Sequence, residues 1–191
     1  GVTTAGGAAD PQLQFFENFP GHLGAAFRAN SNNTLSIHGG NIPLSLSFNY
    51  PTVLLSLNGP GAGTASATVT IRFGLYSLNG STLSLGNSAS NTLSWSATGG
   101  GPGVSWLSLV TSATQNISPG AWYFAFLNVS SNLEANMYGN SSINPANAIP
   151  GGFLMGRMTA STGAMPASIA TSNLDITGSD AIRQPYIILT A

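Results

Sequence analysis

Acid–base chemistry in this chain would have to draw on Asp10, Glu17, Glu134, Asp175, Asp180, His22 and His38, its full stock of carboxylates and imidazoles. Glu17 and His22 are close in sequence, and a carboxylate that orients an imidazole is a working catalytic device. That device also needs a nucleophile, and no Gly-x-Ser-x-Gly elbow or comparable motif accompanies the pair. A solvated or interface-lining pair accounts for both residues without chemistry. Asp175 and Asp180 flank a Gly turn in DITGSD, an oxygen-rich loop of a kind that can take Ca²⁺. The further ligands and the closing Glu of an EF-type loop are missing, so a turn whose Asp side chains cap backbone N–H groups is the simpler account. The run Gly99–Gly103 lacks the Lys and Ser/Thr of a phosphate cradle, and without cysteine there is neither a disulfide framework nor a thiolate zinc site. The expectation is a protein with no catalytic residue, no metal and no cofactor.

Binding chemistry is better supplied. Trp95, Trp106, Trp122, Tyr50, Tyr123 and Tyr138 offer flat faces on which sugar rings pack, with Asn, Ser and Thr nearby to satisfy hydroxyls. The three tryptophans fall on predicted strands, where core packing is the plainer role. Tyr138 lies in the Asn-rich stretch NMYGNSSINPANAIPGG and is the better candidate for exposure. The candidate glycan or partner contacts are therefore Tyr138, Asn136, Asn140 and Trp106. Five Asn-x-Ser/Thr sequons begin at Asn32, Asn79, Asn116, Asn128 and Asn140, which chance largely explains in a chain so rich in these residues.

Only 5% of the 191 residues are charged, against about 25% in an average soluble domain, so solubility must come from hydroxyls and amides. With a formal net charge of −1 and Arg28, Arg72, Arg157 and Arg183 scattered singly, no basic stripe exists to neutralise phosphates. Nucleic acid is not an expected partner. No apolar run approaches the roughly 18 residues of a membrane span, so membrane insertion is not expected either.

The elements that must position these side chains read as strands. Residues 1–11 are small, Gly-rich and apolar-poor, as in a flexible arm, and residues 12–191 are expected to form a single β-sandwich domain. Period-two alternation is plain over 44–50 and again over 65–75, where Ile71, Phe73 and Leu75 share one face and Thr70, Arg72 and Gly74 the other. Asn79-Gly80 then predicts a type I′ hairpin turn, with Leu83 and Leu85 returning toward a core. Further strands are expected over 92–97, 106–111, 121–129, 153–159 and 186–190. In AWYFAFL, 121–127, apolar residues do not alternate with polar ones, which predicts a central strand or one buried at a subunit contact. Residues 133–152 read as a long polar surface loop, and 163–180 as a second. The fold class expected is all-β: an antiparallel β-sandwich, jelly-roll-like, with long polar loops.

The segments Phe73-Gly-Leu-Tyr76, Asn79-Gly-Ser-Thr-Leu-Ser-Leu85, Ser88-x-Ser90 and Ser118-Pro-Gly-x-Trp-Tyr123 resemble a module of tailed-bacteriophage virion structural proteins. The likeness covers about residues 70–128, roughly a third of the chain. It implies a non-enzymatic virion-surface protein, commonly a homotrimer, serving as a receptor-binding tail-fibre tip or a capsid decoration protein. Its partners would be other virion proteins or a host-surface glycan. A carbohydrate-binding module of a secreted bacterial protein is the alternative.

Overall fold

The computed structural model describes residues 12–13, 15–17, 26–30, 33–57, 66–96, 103–111, 114–131, 135–140, 155–160, 162–176 and 184–190. The strands in the first part of the chain are β1 (Gln12–Leu13), β2 (Phe15–Glu17), β3 (Ala26–Asn30), β4 (Thr34–Ile42), β5 (Ser45–Phe48) and β6 (Tyr50–Leu57). The long hairpin β7 (Ser66–Asn79) and β8 (Thr82–Ser96) follows, then β9 (Gly103–Ser108), β10 (Val110–Thr111) and β11 (Gln115–Ile117). The remainder are β12 (Gly120–Ser131), β13 (Ala135–Asn140), β14 (Met155–Thr159), β15 (Ser168–Ala170), β16 (Gln184–Pro185) and β17 (Ile187–Thr190).

One sheet runs β10-β8-β7-β12-β4-β14, with β15 also against β8. A second runs β16-β13-β6-β17-β2, with β3 on β13 and β9 on β6, and β1-β5-β11 make a small third sheet. Among the described residues every ladder is antiparallel except β1 on β5, and no α-helix occurs, as an all-β sandwich requires. The chain changes sheet at Leu109: β9 pairs with β6 of the second sheet, and β10, two residues on, pairs with β8 of the first.

The hairpin turn differs from the expectation by one residue. Its central pair is Gly80-Ser81, closed by Asn79 opposite Thr82, and of these residues only Gly80 takes a positive φ, +59°. A positive φ at the first central position alone is the mark of a type II′ turn, and only Gly enters it without a steric cost. A β-bulge at Gly86 then resets the alternation, because Leu75 lies opposite Asn87 and Tyr76 opposite Leu85. Leu83 and Leu85, before the bulge, face one side of the sheet; Ala89, after it, faces the other.

Two apolar layers result. Ile71, Phe73, Leu75, Phe124 and Phe126 of the first sheet meet Leu107, Ile187 and Leu189 of the second and Leu46, Phe48 and Ile117 of the third. On the opposite face of the first sheet, Leu35, Ile37, Tyr76, Leu83, Tyr123, Ala125 and Leu127 pack beneath Ala160, Ile169 and Leu174. Strand β12 is thus the central strand that its unbroken apolar run predicts, held between β7 and β4 and covered on both faces by the chain itself. Each large side chain so buried contributes about 1.5–3 kcal/mol.

Two expected loops are corrected. Within 133–152, residues Ala135–Asn140 form strand β13, because the backbone there pairs with β3, β6 and β16 despite its polar composition; 141–152 lie outside the described residues. Within 163–180, Ile169 on β15 and Leu174, just past a single 3₁₀ turn (Thr171–Asn173), turn inward, so the described part is a cover over the sheet. Residues 177–180 and the arm 1–11 lie outside the described residues.

Candidate functional site

The four contact residues expected from sequence lie in the second sheet. Asn136, Tyr138 and Asn140 are on β13, and Trp106 is on β9. Strand β6 separates them: Asn136 pairs with Ser56, Met137 with Leu55, and Trp106 with Leu54 on the other side, so Tyr138 and Trp106 stand at the same level two strands apart. The fold therefore gathers onto one sheet residues that are 32 positions apart in sequence.

Tyr138 is half-buried on a strand, not exposed on a loop. Its ring meets Tyr186 edge-on at a centroid distance of 6.1 Å, and its carbonyl accepts the Tyr186 N–H at 2.8 Å. The Tyr186 hydroxyl, on a residue only 6% exposed, donates to Glu17 Oε2 at 2.5 Å. Burial first, then the hydrogen bond and charge of Glu17, and then the nearby Tyr138, hold the Tyr186 phenol above its ordinary range. Tyr186 stays protonated as a donor, and Glu17 is committed as its acceptor. His22, the sequence neighbour considered with Glu17, lies outside the described residues.

His38 is fully buried, with Phe124 and Phe126 stacked on its ring at centroid distances of 5.5 and 6.3 Å. Loss of hydration pushes its pKa from 6.5 to about 3, so it is a neutral core side chain at physiological pH. Asp175 bonds Arg157 twice through the backbone and once through its side chain, Arg157 Nε to Oδ2 at 3.5 Å. This pair borders a 680 Å³ cleft with Thr34, Met158, Thr159 and Asn173; with both side chains partly exposed it is worth little as a bond. Asp10, Glu134 and Asp180 lie outside the described residues, among which no three His, Asp or Glu side chains gather as metal ligands.

Trp122 packs against the main core and donates its indole N–H to the Ser118 carbonyl at 2.9 Å, the structural role its strand position suggests. Tyr123 is buried. Of the sequon asparagines, Asn128 is wholly buried and closed to modification in the folded chain, whereas Asn79 and Asn116 are exposed. Asn116 accepts from the Ser47 hydroxyl at 2.5 Å.

A site that sequence reasoning did not single out lies on the outer face of the first sheet. Arg72 on β7 pairs with Ser90 on β8, and Ser90 with Val110 on β10, so the three form one cross-strand row. With Leu85, Ser88 and Met165 they line a cleft of about 310 Å³. The signal available was an arginine on the polar face of an alternating strand, ordinarily just a solvated side chain.

No protein-family model matches the chain, and no curated protein matches it significantly. The functional case therefore rests on the residues themselves. They offer hydrogen-bonding and ring surfaces on two sheets and, among the described residues, no assembled catalytic constellation.

Proposed function

We propose that this chain is a non-enzymatic surface protein of a bacteriophage virion, a jelly-roll-like sandwich that acts through protein or host-glycan contacts as a tail-fibre tip or a capsid decoration protein. The observation that supports it best is where the polarity lies. Both faces of β12, in the middle of the first sheet, are taken up in burying the chain's own apolar residues, and the hairpin beside it presents Ser77, Asn79, Ser81, Thr82, Ser84, Ser88 and Thr92 outward. Cross-strand hydroxyls meet on the hairpin, as Thr70 and Thr92 do at 2.7 Å, and on the second sheet, as Thr52 and Ser108 do at 3.3 Å. Such a surface hydrogen-bonds to sugars or to a neighbouring subunit without the cost of burying charge. The resemblance of residues 70–128 to phage virion modules supplies the biological setting.

The homotrimer that this setting implies would have to form away from β12, whose two faces are already filled. A carbohydrate-binding module is the second reading, favoured by the half-buried Tyr138 ring at the level of Trp106 on one sheet. Size-exclusion chromatography with light scattering tests the choice. A stable trimer is expected; a clean monomer that binds neutral sugars would favour the module instead.

A further inference from the structure

The cross-strand row through Arg72 runs from a covered to an open part of the sheet. On one side Arg72 pairs with Leu127 of β12, buried under the cover formed by Ala160, Ile169 and Leu174. On the other, beyond Ser90, Val110 is 56% exposed. Met165 of the covering segment comes down onto Gly74, where a Cβ would lie 2.5 Å from its Cε. The 310 Å³ cleft opens where this cover ends, at the lower end of the roughly 300–1,000 Å³ range of small-ligand pockets. Its size suits one hydroxylated ring.

Its chemistry is specific. Arg72 lines the cleft with no described carboxylate to neutralise it, because Glu17 is engaged with Tyr186 and Asp175 with Arg157, and its buried Nε has no hydrogen-bond partner. A guanidinium presents a planar fork that matches a carboxylate. Ser88 and Ser90 add hydroxyls that both donate and accept, while Leu85, Met165 and Val110 supply apolar walls. A single cation with hydroxyls and apolar walls fits a monocarboxylate on a polyhydroxylated ring better than it fits a phosphate, which calls for more positive charge.

We propose that the Arg72 cleft binds the carboxylate of an acidic sugar residue of the uronate type, with Arg72 taking the carboxylate and Ser88 and Ser90 the ring hydroxyls. This deepens the host-glycan side of the proposed function and rests on it. The test is calorimetric titration of the full chain with glucuronate and a short oligouronide, with glucose as the neutral ring and acetate as the bare carboxylate. Glucuronate is expected to bind saturably, and glucose and acetate much more weakly. Arg72→Gln should weaken glucuronate binding about 10- to 100-fold. Val110→Asp, at an exposed position that tolerates a polar side chain, should weaken it too by placing a like charge at the mouth of the cleft. Both variants should keep the parent melting temperature.

Absence of glucuronate binding, equal binding of glucose, equal binding of acetate, or unchanged affinity in the folded Val110→Asp variant would each overturn the inference. Oligomeric state reads the wider proposal separately. A trimer that ignores uronides removes only the sugar inference, whereas a monomer that binds them through Arg72 removes the virion setting.

Discussion

His38 shows how far residue type alone misleads. On paper it is one of two imidazoles available for proton transfer; in the fold it is a flat core side chain between Phe124 and Phe126. Its burial makes stability depend on pH. The native imidazole stays neutral down to about pH 3, while the unfolded chain protonates it below 6.5, so between those values the unfolded state binds the extra proton. Stability should therefore fall as pH drops through that window, by about 1.4 kcal/mol per unit from this residue. Urea denaturation across pH 4–7 measures the slope, and His38→Leu should flatten it by that amount. An unchanged slope in the variant would place the acid sensitivity elsewhere. Glu17 shows the reach of tertiary pairing: its carboxylate accepts from the Tyr186 hydroxyl, 169 residues away.

At the scale of elements, the β7–β8 hairpin was readable because alternation and turn chemistry are local. The strand faces of 65–75 and the inward Leu83 and Leu85 follow from a period of two. The turn type and the bulge at Gly86 did not follow, because they depend on how the two strands are aligned, and a one-residue slip moves a side chain to the other face. Two glycines separate the local from the non-local effect. Gly80→Ala meets no atom within 4 Å but must hold φ +59°, a backbone cost of about 1 kcal/mol. Gly74→Ala has ordinary backbone freedom yet would bring a Cβ within 2.8 Å of the Tyr76 ring and 3.0 Å of Leu85, besides Met165, an overpacking cost of about 1–3 kcal/mol. Thermal unfolding of both variants checks the pair; Gly74→Ala should be at least as damaging despite its unremarkable sequence context.

For the whole molecule, the decisive feature is the second apolar layer. Residues 163–180 look like a polar loop because their apolar side chains are widely spaced, and neither Ile169 nor Leu174 sits in a periodic run. Ile169 is nevertheless 2% exposed, so Ile169→Ala should cost about 2–5 kcal/mol, the range of a full core deletion. Ile176, 45% exposed a few residues on, should tolerate the same change within about 0.5 kcal/mol. Chemical denaturation distinguishes the two outcomes; equal small effects would mean that the cover is not part of the cooperative unit.

The all-β class, the strand alternation, the hairpin's existence and the burial of 121–127 on both faces were determined by the sequence itself, since each depends on residue types within a few positions of one another. The partners of Glu17 and Arg157, the level that Tyr138 shares with Trp106, the place of β12 between β7 and β4 with the chain's own residues covering both its faces, and the cleft around Arg72 were decided only by tertiary structure. These depend on register between strands far apart in the chain, and register is set by the packing of whole sheets against one another. In a chain with so few charges, local sequence marks which residues go inside, and only the packed sheets select which polar ones meet.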